Sequence, residues 1–181
     1  MAARFRSTVE DEVAFRQWYS TALPRVYGYL LERTGGLRSV AEELTQETFM
    51  ELVRSHTRFD GRSDPVTWTM AIARHKLADH FRKLDREERK RLELVKGAAP
   101  DQTAHDAWFA SERRHGVLAA LRALPAMQRA AMTLHYMDDL PVSEVAGVLR
   151  KSETAIDSLL ARGREALRRS LPELDDEVDD G

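Results

Sequence analysis

The sequence predicts an all-α protein: two helical domains joined by a flexible linker, the second ending in a helix-turn-helix. Three observations predict it. Apolar residues recur at helical spacing through most of the chain. Glycine and proline are sparse and gather at a few breaks, among them Gly35-Gly36, Gly97 to Pro100, Pro125 and Pro141. No hairpin turn signal is present. The 181 residues are 43% hydrophobic and 32% charged, an ordinary globular balance, and 28 basic against 30 acidic side chains leave a formal net charge of -2. That near-neutral total hides a local asymmetry, because Arg74 to Lys96 is rich in Arg and Lys while Glu173 to Asp180 is almost wholly acidic. No run approaches the roughly 20 apolar residues of a membrane helix, and Met1 to Arg16 is charged, unlike a signal peptide. Membrane-inserted and secreted classes are therefore not expected. With no cysteine there is no disulfide framework and no thiolate metal or redox chemistry, and a reducing cytoplasm fits.

The elements follow in order. Ser7-Thr8-Val9-Glu10 reads as a capping box, and Val13, Trp18, Val26, Leu30 and Leu31 then recur at helical spacing, with Pro24 expected to bend or divide the helix. A second helix is predicted from Ser39 to His56, with Ala41, Leu44, Thr48 and Leu52 on one apolar stripe. After a turn over residues 59–65, a third helix from Val66 carries Trp68, Ile72, Leu77 and Phe81 and ends in basic sequence. Periodicity fades after Arg86, so the first domain is placed at 8–86 and a linker at 87–111. It returns with Val117, Leu121 and Leu124, and a second domain is placed at 112–172, with an acidic tail at 173–181.

Two helices close that second domain. Val142, Val145, Ala146 and Leu149 line one, Arg150-Lys151 turns, and Ile156, Leu159 and Leu160 anchor the next, with Ser152 as its expected N-cap and Glu153 in its positive first turn. In a helix-turn-helix the second helix enters the major groove by its amino-terminal residues. Candidate base readers are therefore Thr154, Ala155, Asp157 and Ser158, with Arg162, Arg164, Arg168 and Arg169 nearer the phosphates and Arg150 and Lys151 as further cations of the same motif.

Three segments together resemble one family, the extracytoplasmic-function sigma factors of RNA polymerase. They are Ala41-Glu-Glu-Leu-Thr-Gln-Glu-Thr-Phe49, then Thr67 to Lys83 with its Ile-Ala-Arg-His core, then Leu124-Pro125 followed by the helix-turn-helix. Together they cover about Phe15 to Leu171. The resemblance implies that the first segment grips the β′ coiled coil of core RNA polymerase through Glu43, Leu44, Gln46, Glu47, Phe49 and Met50. It implies that the second engages the melted minus-ten element, and that the third reads the minus-thirty-five element beside the β flap. It further implies that the linker threads along the polymerase towards the RNA exit path, and that an anti-sigma factor is a possible partner.

The residue chemistry agrees. Glu43, Gln46, Glu47 and Met50 lie off the apolar stripe, and an acidic face with apolar flanks suits a protein rather than DNA. For the minus-ten element, Arg58, Arg62, Arg74, Lys76, Arg82 and Lys83 supply cations, while Phe59, Trp68 and Phe81 supply aromatic surface on which unpaired bases stack. A trapped base need not re-pair, so binding can help open the duplex without nucleotide hydrolysis. His75 stands where the family places a base-pocket residue, commonly asparagine. Trp68 is open to two readings, core or stacking platform. Asp157 and Leu159 stand where the family usually has basic residues; Asp157 either accepts from cytosine N4 or repels phosphate.

His75, Asp79 and His80 do not assemble a metal site, since a tight site needs further ligands and the surroundings are cationic. No nucleophile, base pair or phosphate-binding glycine loop suggests an enzyme, so no catalytic residue, metal or cofactor is expected. The tail reads either as a solvated end or as a competitor for the basic face. The expected function is a cytoplasmic transcription initiation factor that binds core polymerase and promoter DNA. The alternative is a stand-alone helix-turn-helix regulator that needs no polymerase.

Overall fold

A computed structural model describes residues 11–94 and 112–171, and the side chains of 112–115 are not among what it describes. The regular structure among the described residues is all helical, with no strand. The helices are α1 (Glu12–Arg33), α2 (Arg38–Ser55), α3 (Pro65–Leu94), α4 (Glu112–Ala123), α5 (Ala126–Met132), α6 (Val142–Leu149) and α7 (Glu153–Ser170), with a short 3-10 turn at His56–Arg58 and a π turn at Thr133–Met137. The described residues form two compact units, divided between Asp79 and His80 inside α3.

In the first unit α1 starts at Asp11, whose carboxylate accepts from the Ala14 N–H at 2.8 Å. The expected capping box at residues 7–10 lies outside the described residues. Pro24 does not divide the helix, which runs unbroken to Arg33. The lost bond is only that of the Pro24 nitrogen, and burial of Ala22, Val26 and Leu30 on the same helix holds the element together. Val13 is 67% exposed and is not core. The α1–α2 turn needs positive φ at Gly35 and Gly36, where the Gly36 N–H donates to the Leu31 carbonyl at 2.8 Å.

α2 presents the predicted stripe, burying Ala41, Leu44, Thr48 and Leu52 together with Thr45 and Phe49. Its buried hydroxyls are satisfied within the helix: Thr45 donates to the Ala41 carbonyl at 2.6 Å and Thr48 to that of Leu44 at 2.7 Å. α3 opens with Pro65, whose missing N–H costs nothing in a first turn, and the Asp64 carboxylate accepts from the Val66 and Thr67 N–H groups.

α3 continues to Leu94, past the predicted end at Arg86. The segment lacks an apolar stripe but is built of strong helix formers, and an Asp85–Arg89 ion pair at 3.0 Å spans one turn of it. In the second unit Phe81 is 1% exposed, with the Arg129 guanidinium 5.3 Å from its ring centre, so it is a core ring and not the stacking surface expected of it. Burial pushes the Arg129 pKa down from its ordinary value, Glu88 opposing and Arg122 adding to the shift. α5, α6 and α7 enclose a core of Met127, Ala130, Leu134, Val145, Leu149, Ile156 and Leu160. The close helix approach is at Gly163, where an added Cβ would stand 2.8 Å from Met132 Cγ. Residues 87–94 of the expected linker are thus the end of α3, and residues 95–111, like the acidic tail at 173–181, lie outside the described residues.

Candidate protein and nucleic-acid interfaces

Residues are expected at three interfaces. On α2, Glu43, Gln46, Glu47 and Met50 are exposed, Met50 by 45%. Leu44 and Phe49, expected to contact the polymerase, are core instead, exposed by 4% and 6%. An apolar helix needs an inward face, and both stand on the stripe that supplies it; Phe49 sets its ring edge-on to Tyr19, 4.6 Å away. Beside this ridge runs an apolar groove of about 790 Å³ between α1 and α2, with Tyr19, Leu23 and Tyr27 on one wall and Gln46, Met50 and Val53 on the other. The sequence reading missed the α1 wall. Its signal was the aromatic run Phe15, Trp18, Tyr19 and Tyr27, which is denser than one core stripe requires.

The expected minus-ten residues divide into two groups. Arg58, Arg62, His75 and Lys83 are exposed; Arg74, Lys76 and Arg82 are half-buried. Lys76 pairs with Glu51 at 3.6 Å, Arg62 with Asp60 at 3.4 Å, and the Arg82 guanidinium donates to the Val148 carbonyl at 2.6 Å. Phe59 corrects the sequence reading: it is 1% exposed and forms a core cluster with Leu52, so its ring is closed to a base. Trp68 is half-buried and packs on that cluster, its ring centre 5.2 Å from that of Phe59. One tilted aromatic pair thus explains both side chains as packing, with the outer part of Trp68 left at the surface.

The third surface is the helix-turn-helix. Arg150 ends α6 in the left-handed region at φ 55°, ψ 49°, and the Lys151 N–H donates back to the Ala146 carbonyl at 3.0 Å. Ser152 then caps α7, its hydroxyl accepting from the Ala155 N–H at 3.2 Å. The cap aims the amino-terminal turns of α7 outward. Thr154, Asp157, Ser158, Arg162 and Arg164 are exposed, as is Arg150, while Lys151 and Ala155 are half-buried. Leu159 is 8% exposed and belongs to the core, so of the two departures from the family's basic pattern only Asp157 stands on the open face. The Arg162 Nε donates to the Ser158 carbonyl at 3.1 Å, which lays its side chain along the helix. Arg164 donates to the Tyr136 hydroxyl at 2.9 Å, a partner absent from the sequence reading.

Such a set can neutralise phosphate with Arg150, Arg162 and Arg164 and offer hydroxyl and carboxylate groups to base edges. None of the described helices is long and apolar enough to cross a membrane.

Comparison with known proteins finds two matched segments. Residues 18–87 match Sigma-70 region 2 and residues 114–167 match Sigma-70, region 4. The chain is 34% identical over 175 residues to the ECF RNA polymerase sigma factor BldN of Streptomyces coelicolor, covering 93% of this chain and 64% of that protein's length. It is 33% identical over 181 residues to the RNA polymerase sigma factor CarQ of Myxococcus xanthus, covering 97% of this chain and 98% of that one. Among solved structures, the sigma factor RpoE of Bartonella quintana, determined in complex with the anti-sigma factor NepR, is similar in fold. Its TM-score is 0.55 at 23% identity, over 87% of this chain and 96% of that chain.

Proposed function

The chain belongs to the extracytoplasmic-function family of RNA polymerase sigma factors, and from that premise we propose how its surfaces divide the work of promoter recognition. Sigma factors direct RNA polymerase to promoters. In this one, the exposed Glu43, Gln46, Glu47 and Met50 of α2 are the polymerase contact, seated on the β′ coiled coil. Leu44 and Phe49 act beneath them by holding the ridge in shape. The apolar groove beside the ridge is where a protein inhibitor of the anti-sigma class would compete for the same ground.

Arg58, Arg62, Arg74, His75, Lys76, Arg82 and Lys83 track the minus-ten strand, with the outer face of Trp68 as the stacking surface. The helix-turn-helix reads the minus-thirty-five element through Thr154, Ala155, Asp157 and Ser158. Arg150, Lys151, Arg162 and Arg164 hold its backbone. Binding free energy opens the duplex; the chain supplies no catalytic step and works in the cytoplasm, where the polymerase is. Because each DNA contact is weak and both are carried by one polymerase-bound factor, the first raises the effective concentration of the second.

The observation that carries this reading is the outward set of charges on the first turns of α7, on a chain matched by both sigma regions. A stand-alone regulator is not favoured, since region 2 has no part in such a protein. The test is transcription in vitro with core bacterial polymerase on fragmented genomic DNA of the source organism, with and without this protein. New discrete start sites sharing upstream motifs are expected. No new starts, together with no binding to core, would overturn the reading.

A further inference from the structure

We propose that Tyr136 is a positioning residue for DNA binding, holding the Arg164 guanidinium at the rim of the major groove for a phosphate contact; this rests on the helix-turn-helix reading above. Four observations carry it. First, Arg164 stands seven residues beyond Asp157, two turns less about 20°, so it shares Asp157's open face about 10 Å further along α7. The first turns of the recognition helix occupy a groove about 12 Å wide, so a cation at that distance meets the sugar-phosphate rim rather than base edges.

Second, the contact between the two helices is in fixed register. Gly163 lets Met132 approach to a distance that no Cβ would allow. Tyr136 stands one helical turn after Met132, and Arg164 is the residue after Gly163, so the same close approach sets the tyrosine opposite the arginine. The hydroxyl accepts from Arg164 Nη1 at 2.9 Å.

Third, Tyr136 lies in the π turn, where the Asp138 N–H donates to the Thr133 carbonyl at 3.3 Å and the Leu140 N–H to that of Leu134 at 3.2 Å. A π turn adds one residue to a helix and redirects the side chains on it, and it is found frequently at functional sites. Fourth, the phenol is itself pinned. Its ring packs edge-on against His135 at 4.7 Å, and His135 Nδ1 is 2.8 Å from the Leu140 carbonyl, the hydrogen bond that fixes the imidazole. Yet Tyr136 is 52% exposed, Arg164 is exposed, and Arg164 makes no other hydrogen bond or ion pair among the described residues, so its remaining guanidinium N–H groups are available to a phosphate. A residue serving only the core would not leave its polar end and its partner in solvent.

The probe is a mixed-sequence 30-base-pair duplex titrated with the full chain by fluorescence anisotropy from low to moderate salt, since phosphate contacts are independent of sequence. Tyr136→Phe keeps the ring and removes the acceptor. Its affinity for the duplex should fall roughly three- to tenfold, the scale of one hydrogen bond, and the slope of log K against log salt should become shallower by up to about 0.9. Arg164→Gln should lose about the same slope, and adding Tyr136→Phe to it should change nothing more, because the tyrosine acts through the arginine. Unchanged affinity and slope in Tyr136→Phe would overturn the proposal. So would a lowered melting temperature with the slope intact, which marks a purely structural tie, or additive effects of the two substitutions. If the unaltered chain shows no salt-dependent binding, the DNA-binding reading falls with it.

Discussion

Arg150 is where folding stability and DNA binding should move in opposite directions. It closes α6 at φ 55°, ψ 49°, in the left-handed region that costs an L side chain about 1–2 kcal/mol. Its own N–H donates to the Gly147 carbonyl and that of Lys151 to Ala146, the hydrogen-bond pattern for which glycine is the preferred stop. Arg150→Gly relieves the strain, and the greater freedom of the unfolded chain offsets about 0.5–1 kcal/mol of the gain. The net is a stabilisation of about 0.5–1 kcal/mol, a rise of roughly 2–8 °C in the melting temperature of the second unit. The side chain is exposed and cationic, so its loss should also weaken duplex binding and make the salt slope shallower by about 0.9. Arg150→Ala keeps the strain and loses the charge; it should show the binding change without the stabilisation. Calorimetry and a salt titration of the two variants separate the effects. A lower melting temperature for Arg150→Gly would refute the strain argument, and unchanged slopes in both would refute the phosphate contact.

Three further outcomes are expected. Phe59→Ala should destabilise the first unit by about 3–5 kcal/mol in denaturant unfolding, because the ring is buried against Leu52 and Trp68; a loss within 1 kcal/mol would mean that the ring is not core. Glu47→Lys should leave unfolding within about 0.5 kcal/mol of the parent yet weaken binding to core polymerase at least tenfold in a competition assay, and retained affinity would remove that side chain from the contact. Asp157→Ala should tighten binding to a mixed-sequence duplex at low salt while relaxing base preference at one position of a selected site; an unaltered preference would argue against readout by Asp157.

The elements that were legible in the sequence are those whose apolar residues repeat without interruption. α2 is the clearest, with Ala41, Leu44, Thr48 and Leu52 all buried as spaced. The end of α3 was not legible because its last turns are held by propensity and an i,i+4 ion pair, neither of which leaves an apolar rhythm. Phe49 and Phe59 were read as contact residues because an aromatic ring on a core stripe and one offered to a partner look alike until burial separates them. The cap at Ser152 was readable from residue type and position alone. Tyr136 was not: a π turn has no residue signature, and the bond to Arg164 spans 28 positions.

The buried threonines of the first unit have a consequence for how its helices can change over generations. Thr34, Thr45, Thr48 and Thr69 each return their hydroxyl to a carbonyl four residues earlier on their own chain segment. No neighbouring helix is answerable for them. Replacing one by valine or alanine removes donor and use together and strands no group across the interface, so such positions can drift singly, without a matching change elsewhere.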